Sequence, residues 1–170
     1  IDIIIHQDYG LPALKPERIA HRLFNASSYS GNTEEVLDGF EIALNRQMPV
    51  CVVSTGGTLL DRAEQEKIPY IRMPDMGIQP RSALGFNLKA LLKIMRQEGA
   101  SGELRALSDA LLPSHFEHAG KKCARRMRDR VPLIYASARN AAIAYNWKIK
   151  CNETGKIPAF MNVIPELNHN

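Results

Sequence analysis

The sequence predicts an α/β fold with a parallel sheet flanked by helices, and two observations carry that prediction. Short apolar runs such as Val50-Cys51-Val52-Val53-Ser54 and Val131-Pro132-Leu133-Ile134-Tyr135-Ala136 alternate with stretches of helical apolar period. Each run passes into its helix through a turn of small polar residues, the order expected of crossovers that bring successive strands parallel and cover both faces of the sheet. Ligands of such sheets sit beyond the carboxyl ends of the strands, so the turns are where chemistry is sought.

Taken in order, Ile1 to His6 is β-branched and reads as a buried strand from its first residue, ended by the turn Gln7 to Pro12. Lys15 to Arg22 is a brief polar segment with a helix beginning at Pro16. Leu23-Phe24-Asn25-Ala26 ends a second strand. After it, Val36, Leu37, Phe40, Ile42, Ala43 and Leu44 set a helix from Thr33 to about Arg46, stopped by Gln47-Met48-Pro49. Val50 to Ser54 is a compact strand, Thr55-Gly56-Gly57-Thr58 a flexible turn, Leu59 to Lys67 a helix and Ile68 to Met73 another strand.

The character changes at Pro74, Gly77 and Pro80. From Arg81 to Met127 little resembles strand, and the stretch reads as helices linking two α/β halves. Val131 to Ala136 is again a strand, Ser137-Ala138-Arg139-Asn140 a turn and Ala141 to Lys150 a helix, so the order of the first half recurs. The expected organisation is therefore residues 1–75 as a first partial domain, 76–130 as a helical connection and 131–170 as a second partial domain.

One stretch concentrates the candidate chemistry: Ser27-Ser28-Tyr29-Ser30-Gly31-Asn32-Thr33-Glu34-Glu35. It joins a strand to a helix, where unpaired N–H groups and the positive end of the helix dipole favour an anion. Ser28, Ser30 and Thr33 add neutral hydroxyl donors, and Gly31 permits unusual backbone dihedrals. A phosphate can be held there without lysine. The plainer reading is a helix cap supplied by Asn32 or Thr33, which needs one side chain and leaves the other hydroxyls unexplained. Thr55 to Thr58 is either a plain tight turn or a secondary contact with the same ligand.

Bulk properties bound the rest. With 170 residues and 45% hydrophobic content the chain can bury a real core as one large domain or two small ones. A net charge of +4, from 22 basic and 18 acidic residues, suits anionic ligands without implying nucleic acid. The basic run Lys121 to Arg130 has no interleaved aromatics and reads as a solvated helix face. Cys51, Cys123 and Cys151 have no close pairing, which suits a reducing cytoplasm. No apolar run is long enough to span a membrane, so neither a membrane span nor a signal peptide is expected. His115 and His118 share a helix face but lack a third ligand at useful spacing, so no metal site is expected.

Ser-Tyr-Ser-Gly-Asn-Thr-Glu-Glu at 28–35 resembles the phosphate-binding turn of sugar isomerase (SIS) domains. Pro-Arg-Ser-Ala-Leu-Gly at 80–85, the run from Tyr135 through Trp147-Lys148 to Lys156, and Pro-Glu-Leu-Asn-His-Asn at 165–170 extend the likeness, in order, to the bifunctional phosphoglucose/phosphomannose isomerases. The resemblance implies an SIS-type three-layer sandwich with two SIS-like halves, and a homodimer acting on a sugar phosphate without a cofactor. By the same resemblance Ser28, Ser30 and Thr33 hold the phosphate with Tyr29 and the Gly31 amide nearby, Arg81 faces the reacting carbons and Glu166 is the catalytic base. Two family features are expected outside the chain: a first strand with its glycine- and serine-rich turn before Ile1, and the ring-opening histidine after Asn170. The chain thus reads as a piece of a longer isomerase, inactive alone. Two other functions stay open, an isomerase of another sugar phosphate such as an amino sugar, and a sensing module that needs the phosphate turn but no base.

Overall fold

The computed structural model describes residues 2–19 and 21–166 and divides the chain into two compact units, Ile1–Leu104 and Arg105–Asn170. The first unit holds three parallel strands in the order β1, β2, β3: Phe24–Ser27, Val50–Ser54 and Tyr70–Arg72. Phe24 lies beside Val50 and Ser27 beside Val53, while Val52 pairs with Tyr70 and Ser54 with Arg72. The crossovers are α2 (Glu34–Asn45) and α3 (Gly57–Gln65), preceded by the single turn α1 (Pro16–Ile19).

Why this sequence layers as it does follows from the central strand. All five residues of β2 are buried, as expected of a parallel strand covered on both faces. Alternate side chains point to opposite faces. Val50 and Val52 join Ala26, Phe40, Ala43, Leu59, Leu60 and Ala63 in one apolar cluster beneath α2 and α3. Val53 faces the other way, with Met73 and Ala90 of α4 (Leu84–Ile94), and Tyr29, Ile71, Phe86 and Ile94 pack around them. The first unit is thus helix, sheet, helix. Phe40, Leu59 and Val52 are wholly buried, each stabilising the fold by roughly 1.5–3 kcal/mol relative to exposure.

The strand expected over Ile1 to His6 is not formed. Ile1 lies outside the described residues, and residues 2–7 have no regular structure, with Ile5 81% exposed. A β-branched run becomes a strand only where a neighbour can take its backbone hydrogen bonds. Among the described residues the sheet ends at β1, so none is offered. Instead Asp2 pairs with Arg18 of α1 at 3.6 Å and with Arg22 at 2.5 Å, Tyr9 donates to Glu34 at 3.2 Å and the Gly10 N–H donates to Asp38 at 2.6 Å, tying the segment to α1 and α2 by polar contacts. Arg22 holds the Asp2 carboxyl below its usual range, mainly through that hydrogen bond.

The helical stretch between the strands consists of α4, α5 (Glu98–Ala110) and α6 (Pro113–Met127). The second unit contains β4 (Leu133–Ser137), a 3₁₀ turn (Ala138–Asn140), α7 (Ala141–Ile149), a π-helical turn (Lys150–Thr154) and β5 (Phe160–Ile164). β4 and β5 are parallel neighbours from Leu133 beside Phe160 to Ser137 beside Ile164. Ala144, Cys151 and Ala159 are buried here. No helix among the described residues is long and apolar enough to cross a membrane.

Candidate functional site

At the carboxyl edge of the first sheet the turns leaving β1 and β2 interlock. The Ser28 N–H donates to Val53 O at 3.0 Å, carrying the β1–β2 ladder one residue past the strand. Beyond it, the Thr55 N–H and hydroxyl both donate to Tyr29 O, at 3.0 and 2.6 Å, and Ser54 Oγ donates to the same oxygen at 3.4 Å. Ser54 is fully buried and its hydroxyl also reaches Gly56 O at 2.8 Å. The Leu59 N–H donates to Gly31 O at 2.9 Å and the Thr58 N–H to Asn32 Oδ1 at 3.0 Å. Two turns distant in sequence therefore hold one another's backbone.

Glycine makes the approach possible. A Cβ on Gly31, whose φ is +73°, would fall 1.8 Å from Gly56 O. A Cβ on Gly57 would fall 2.3 Å from Ser30 O. Neither position has room for a side chain.

The interlock decides which helix start is open to a ligand. α3 spends its first N–H groups on the other turn: Thr58 on Asn32 Oδ1 and Leu59 on Gly31 O. α2 differs. Thr33 sits at its N-cap position with extended dihedrals (φ −71°, ψ 118°), yet no side chain among the described residues caps the helix. The Thr33 hydroxyl lies 2.7 Å from Ser28 Oγ instead. The plainer reading of this turn has Asn32 or Thr33 capping the helix that follows; instead Asn32 accepts from α3 and Thr33 turns to Ser28, because the close packing of the two turns brings α3 within reach of Asn32.

The hydroxyls of the first turn form a short chain. Ser28 is buried, its Oγ accepts the Gly31 N–H at 3.1 Å and is hydrogen-bonded to Thr33 Oγ1, either hydroxyl being able to donate. Ser30 and Thr33 are exposed, and Ser30 Oγ accepts the Asn32 N–H at 3.2 Å. The Tyr29 ring packs with the cluster of Val53, Met73 and Ala90, and its hydroxyl is buried without a hydrogen-bond partner among the described residues.

Arg81 lies in a 3₁₀ turn (Pro80–Ser82) that leads through the buried Ala83 into α4, and donates to Gln79 Oε1 at 3.4 Å. That turn opens the helix whose Phe86 and Ala90 pack in the same cluster as Tyr29. Glu166 belongs to the second unit. It is exposed and follows β5 by two residues, at the edge where β4 also ends in Ser137 and the turn Ala138–Asn140. Leu167, Asn168, His169 and Asn170, the rest of that motif, lie outside the described residues. Sequence reasoning did not single out Ser54, and it read Thr55 as part of a turn that is either plain or a secondary contact with the ligand. Ser54 looked like an ordinary strand end, and only the spatial pairing of the two turns gives either residue a task.

The structure is that of an α/β protein with hydroxyls and a helix start at the carboxyl edge of a parallel sheet, the edge where ligands of such sheets sit. Residues 116–170 match the family described as the bacterial phospho-glucose isomerase C-terminal SIS domain. The chain is 36% identical to the bifunctional phosphoglucose/phosphomannose isomerase of Aquifex aeolicus over 96% of its own length and 50% of that protein. It is 34% identical to the protein of the same name from Caldicellulosiruptor bescii, over 100% and 53%. A D-glucosamine-6-phosphate 4-epimerase of Sulfolobus acidocaldarius is 33% identical over 85% of this chain and 48% of its own. The chain is a relative of the SIS-domain bifunctional phosphoglucose/phosphomannose isomerases and spans about half the length of those it matches.

Proposed function

We propose that the protein is an aldose–ketose isomerase that interconverts glucose 6-phosphate or mannose 6-phosphate with fructose 6-phosphate through an enediol. The carrying observation is the uncapped start of α2 beside the linked hydroxyls of Ser28 and Thr33. With the Gly31 N–H already donating to Ser28, a phosphate oxygen that accepts the Thr33 proton is served by the chain Gly31 N–H, Ser28 O–H, Thr33 O–H. Each bond in that chain polarises the next. The exposed Ser30 hydroxyl and the first amides of α2 supply further neutral donors.

The chemistry then needs a base and a stabiliser of the oxyanion. Glu166 takes the proton from C2 of the open-chain aldose and returns it to C1, and the electron pair left behind forms the enediolate. The Arg81 guanidinium stabilises the negative oxygen that develops. Glucose and mannose phosphates differ at C2, so one base serves both if the open chain rotates. These roles rest on the motifs that carry Arg81 and Glu166 and on the names of the relatives.

A coupled assay on the full-length protein tests the reading, with each sugar phosphate supplied separately and Glu166→Gln as control. Turnover of the sugars, lowered about 10²-fold or more in the variant while binding persists, is the expected result. Binding without turnover in the wild type would point to a sensing module instead. The Sulfolobus relative favours a second substrate class, and glucosamine 6-phosphate belongs in the same assay.

A further inference from the structure

We propose that Thr55 is a positioning residue for the phosphate site, acting through the peptide that joins Tyr29 to Ser30. The proposal rests on the phosphate role given above to the Ser28 to Thr33 turn and adds to it a residue on the other turn.

Two donors of one residue converge on the Tyr29 carbonyl oxygen, the Thr55 N–H at 3.0 Å and the Thr55 hydroxyl at 2.6 Å, and Ser54 Oγ, whose proton has its shorter acceptor in Gly56 O, approaches it at 3.4 Å. The hydroxyl contact is the shortest of them. A trans peptide is planar, with its N–H pointing opposite to its C=O. Pinning the carbonyl to the β2–α3 turn therefore directs the Ser30 N–H away from that turn. That amide has no hydrogen-bond partner among the described residues, whereas Gly31 N–H is spent on Ser28 Oγ and Asn32 N–H on Ser30 Oγ. The Tyr29 and Thr33 N–H groups are likewise without a partner among the described residues, and of these donors the Ser30 N–H is the one that shares its peptide with the clamped carbonyl. Thr55 fixes its direction.

The clamp also faces away from the ligand. Its acceptor is a main-chain carbonyl, which repels an anion, and the two Thr55 donors keep that oxygen turned toward the sheet. Without the Thr55 hydroxyl the peptide keeps one amide bond and a long contact from Ser54, and can rotate more freely. Such a change affects phosphate equally in the ground state and the transition state, because the phosphate does not take part in proton transfer.

The test uses the full-length protein with Thr55→Val, which is close in shape and lacks the hydroxyl, and Thr55→Ser, which keeps it. We expect Thr55→Val to raise KM for the phosphosugar and the inhibition constant of inorganic phosphate together, by about fivefold, the equivalent of one ordinary hydrogen bond. Its kcat stays near that of the wild type, and Thr55→Ser restores both constants. A lost contact of purely structural value would lower the melting temperature and leave KM and the phosphate constant where they were, which overturns the proposal. So would failure of Thr55→Ser to restore them. If Thr55→Val does not fold, Thr55→Ala carries the same comparison without branched apolar bulk. If Ser28→Ala abolishes phosphate inhibition and Thr55→Val does not change it, the functional reading stands and only the positioning role falls. If the wild type itself ignores inorganic phosphate and phosphosugars, both fall.

Discussion

The Cα of Gly31 faces the carbonyl oxygen of Gly56 so closely that a methyl group on it would lie 1.8 Å away. The obstacle is backbone on both sides, so no flexible side chain can move aside. Gly31→Ala is expected to cost roughly 3 kcal/mol by forcing the two turns apart. Gly102→Ala, in the open interior of α5 with nothing within 4 Å of the new carbon, is expected to stabilise by about 0.5–1 kcal/mol instead. Urea denaturation of both variants gives the comparison; equal effects would mean that the turns are not interlocked as described.

On the function proposed above, one Ser28 hydroxyl serves both stability and ligand. Ser28→Ala leaves the buried Gly31 N–H without its acceptor, at a cost of about 1–3 kcal/mol. Thr33→Val removes only the exposed end of the chain and should cost less than 1 kcal/mol while weakening phosphate binding as much. Calorimetric titration with inorganic phosphate, set beside thermal unfolding, separates the two effects.

Cys51 is buried in β2, where burial pushes its thiol from 9.0 up to about 11. The folded state therefore holds this proton more tightly than the unfolded chain does. Its contribution is fully present below pH 9, and is lost as pH rises from about 9 to about 11. Cys51→Ala should flatten that part of the stability curve, measured by denaturant midpoints across the range. Alkylation at pH 8 should label Cys51 far more slowly than an exposed thiol.

Phe40 is completely buried between α2 and the sheet, with the Arg62 guanidinium 6.0 Å from its ring centre. Phe40→Ala is expected to destabilise by about 3–5 kcal/mol, most of it from the cavity. Arg62→Ala should cost about 1 kcal/mol or less, since its pairs with Glu41 and Glu66 are partly exposed. Chemical denaturation at low and high salt distinguishes them, because only the second effect shrinks with salt.

Much of the architecture was legible because it is local. Val50 to Ser54 is a strand and Glu34 to Asn45 a helix where periodicity places them, and the hydroxyl turn lies between strand and helix as its composition predicts. The N-terminal isoleucines show the limit of that reasoning. Their propensity for strand is real, but a strand needs a partner, and propensity does not say whether one is present. Arg81 and Glu166 were read as motifs only; the structure places Arg81 in a 3₁₀ turn beside Gln79 and Glu166 just past β5.

By itself, the sequence determined the alternation of strand and helix, the parallel pairing that short crossovers impose, and the place of Ser28, Ser30 and Thr33 at a helix start. Those follow from side-chain period and turn chemistry, which act over a few residues. Only the tertiary structure decided that Asn32 caps α3 and not α2, that Thr55 holds the Tyr29 carbonyl, and that α2 is the helix left uncapped. These depend on two turns meeting across a sheet edge. Hydrogen bonds between segments some 25 residues apart are set by packing, which local pattern does not encode.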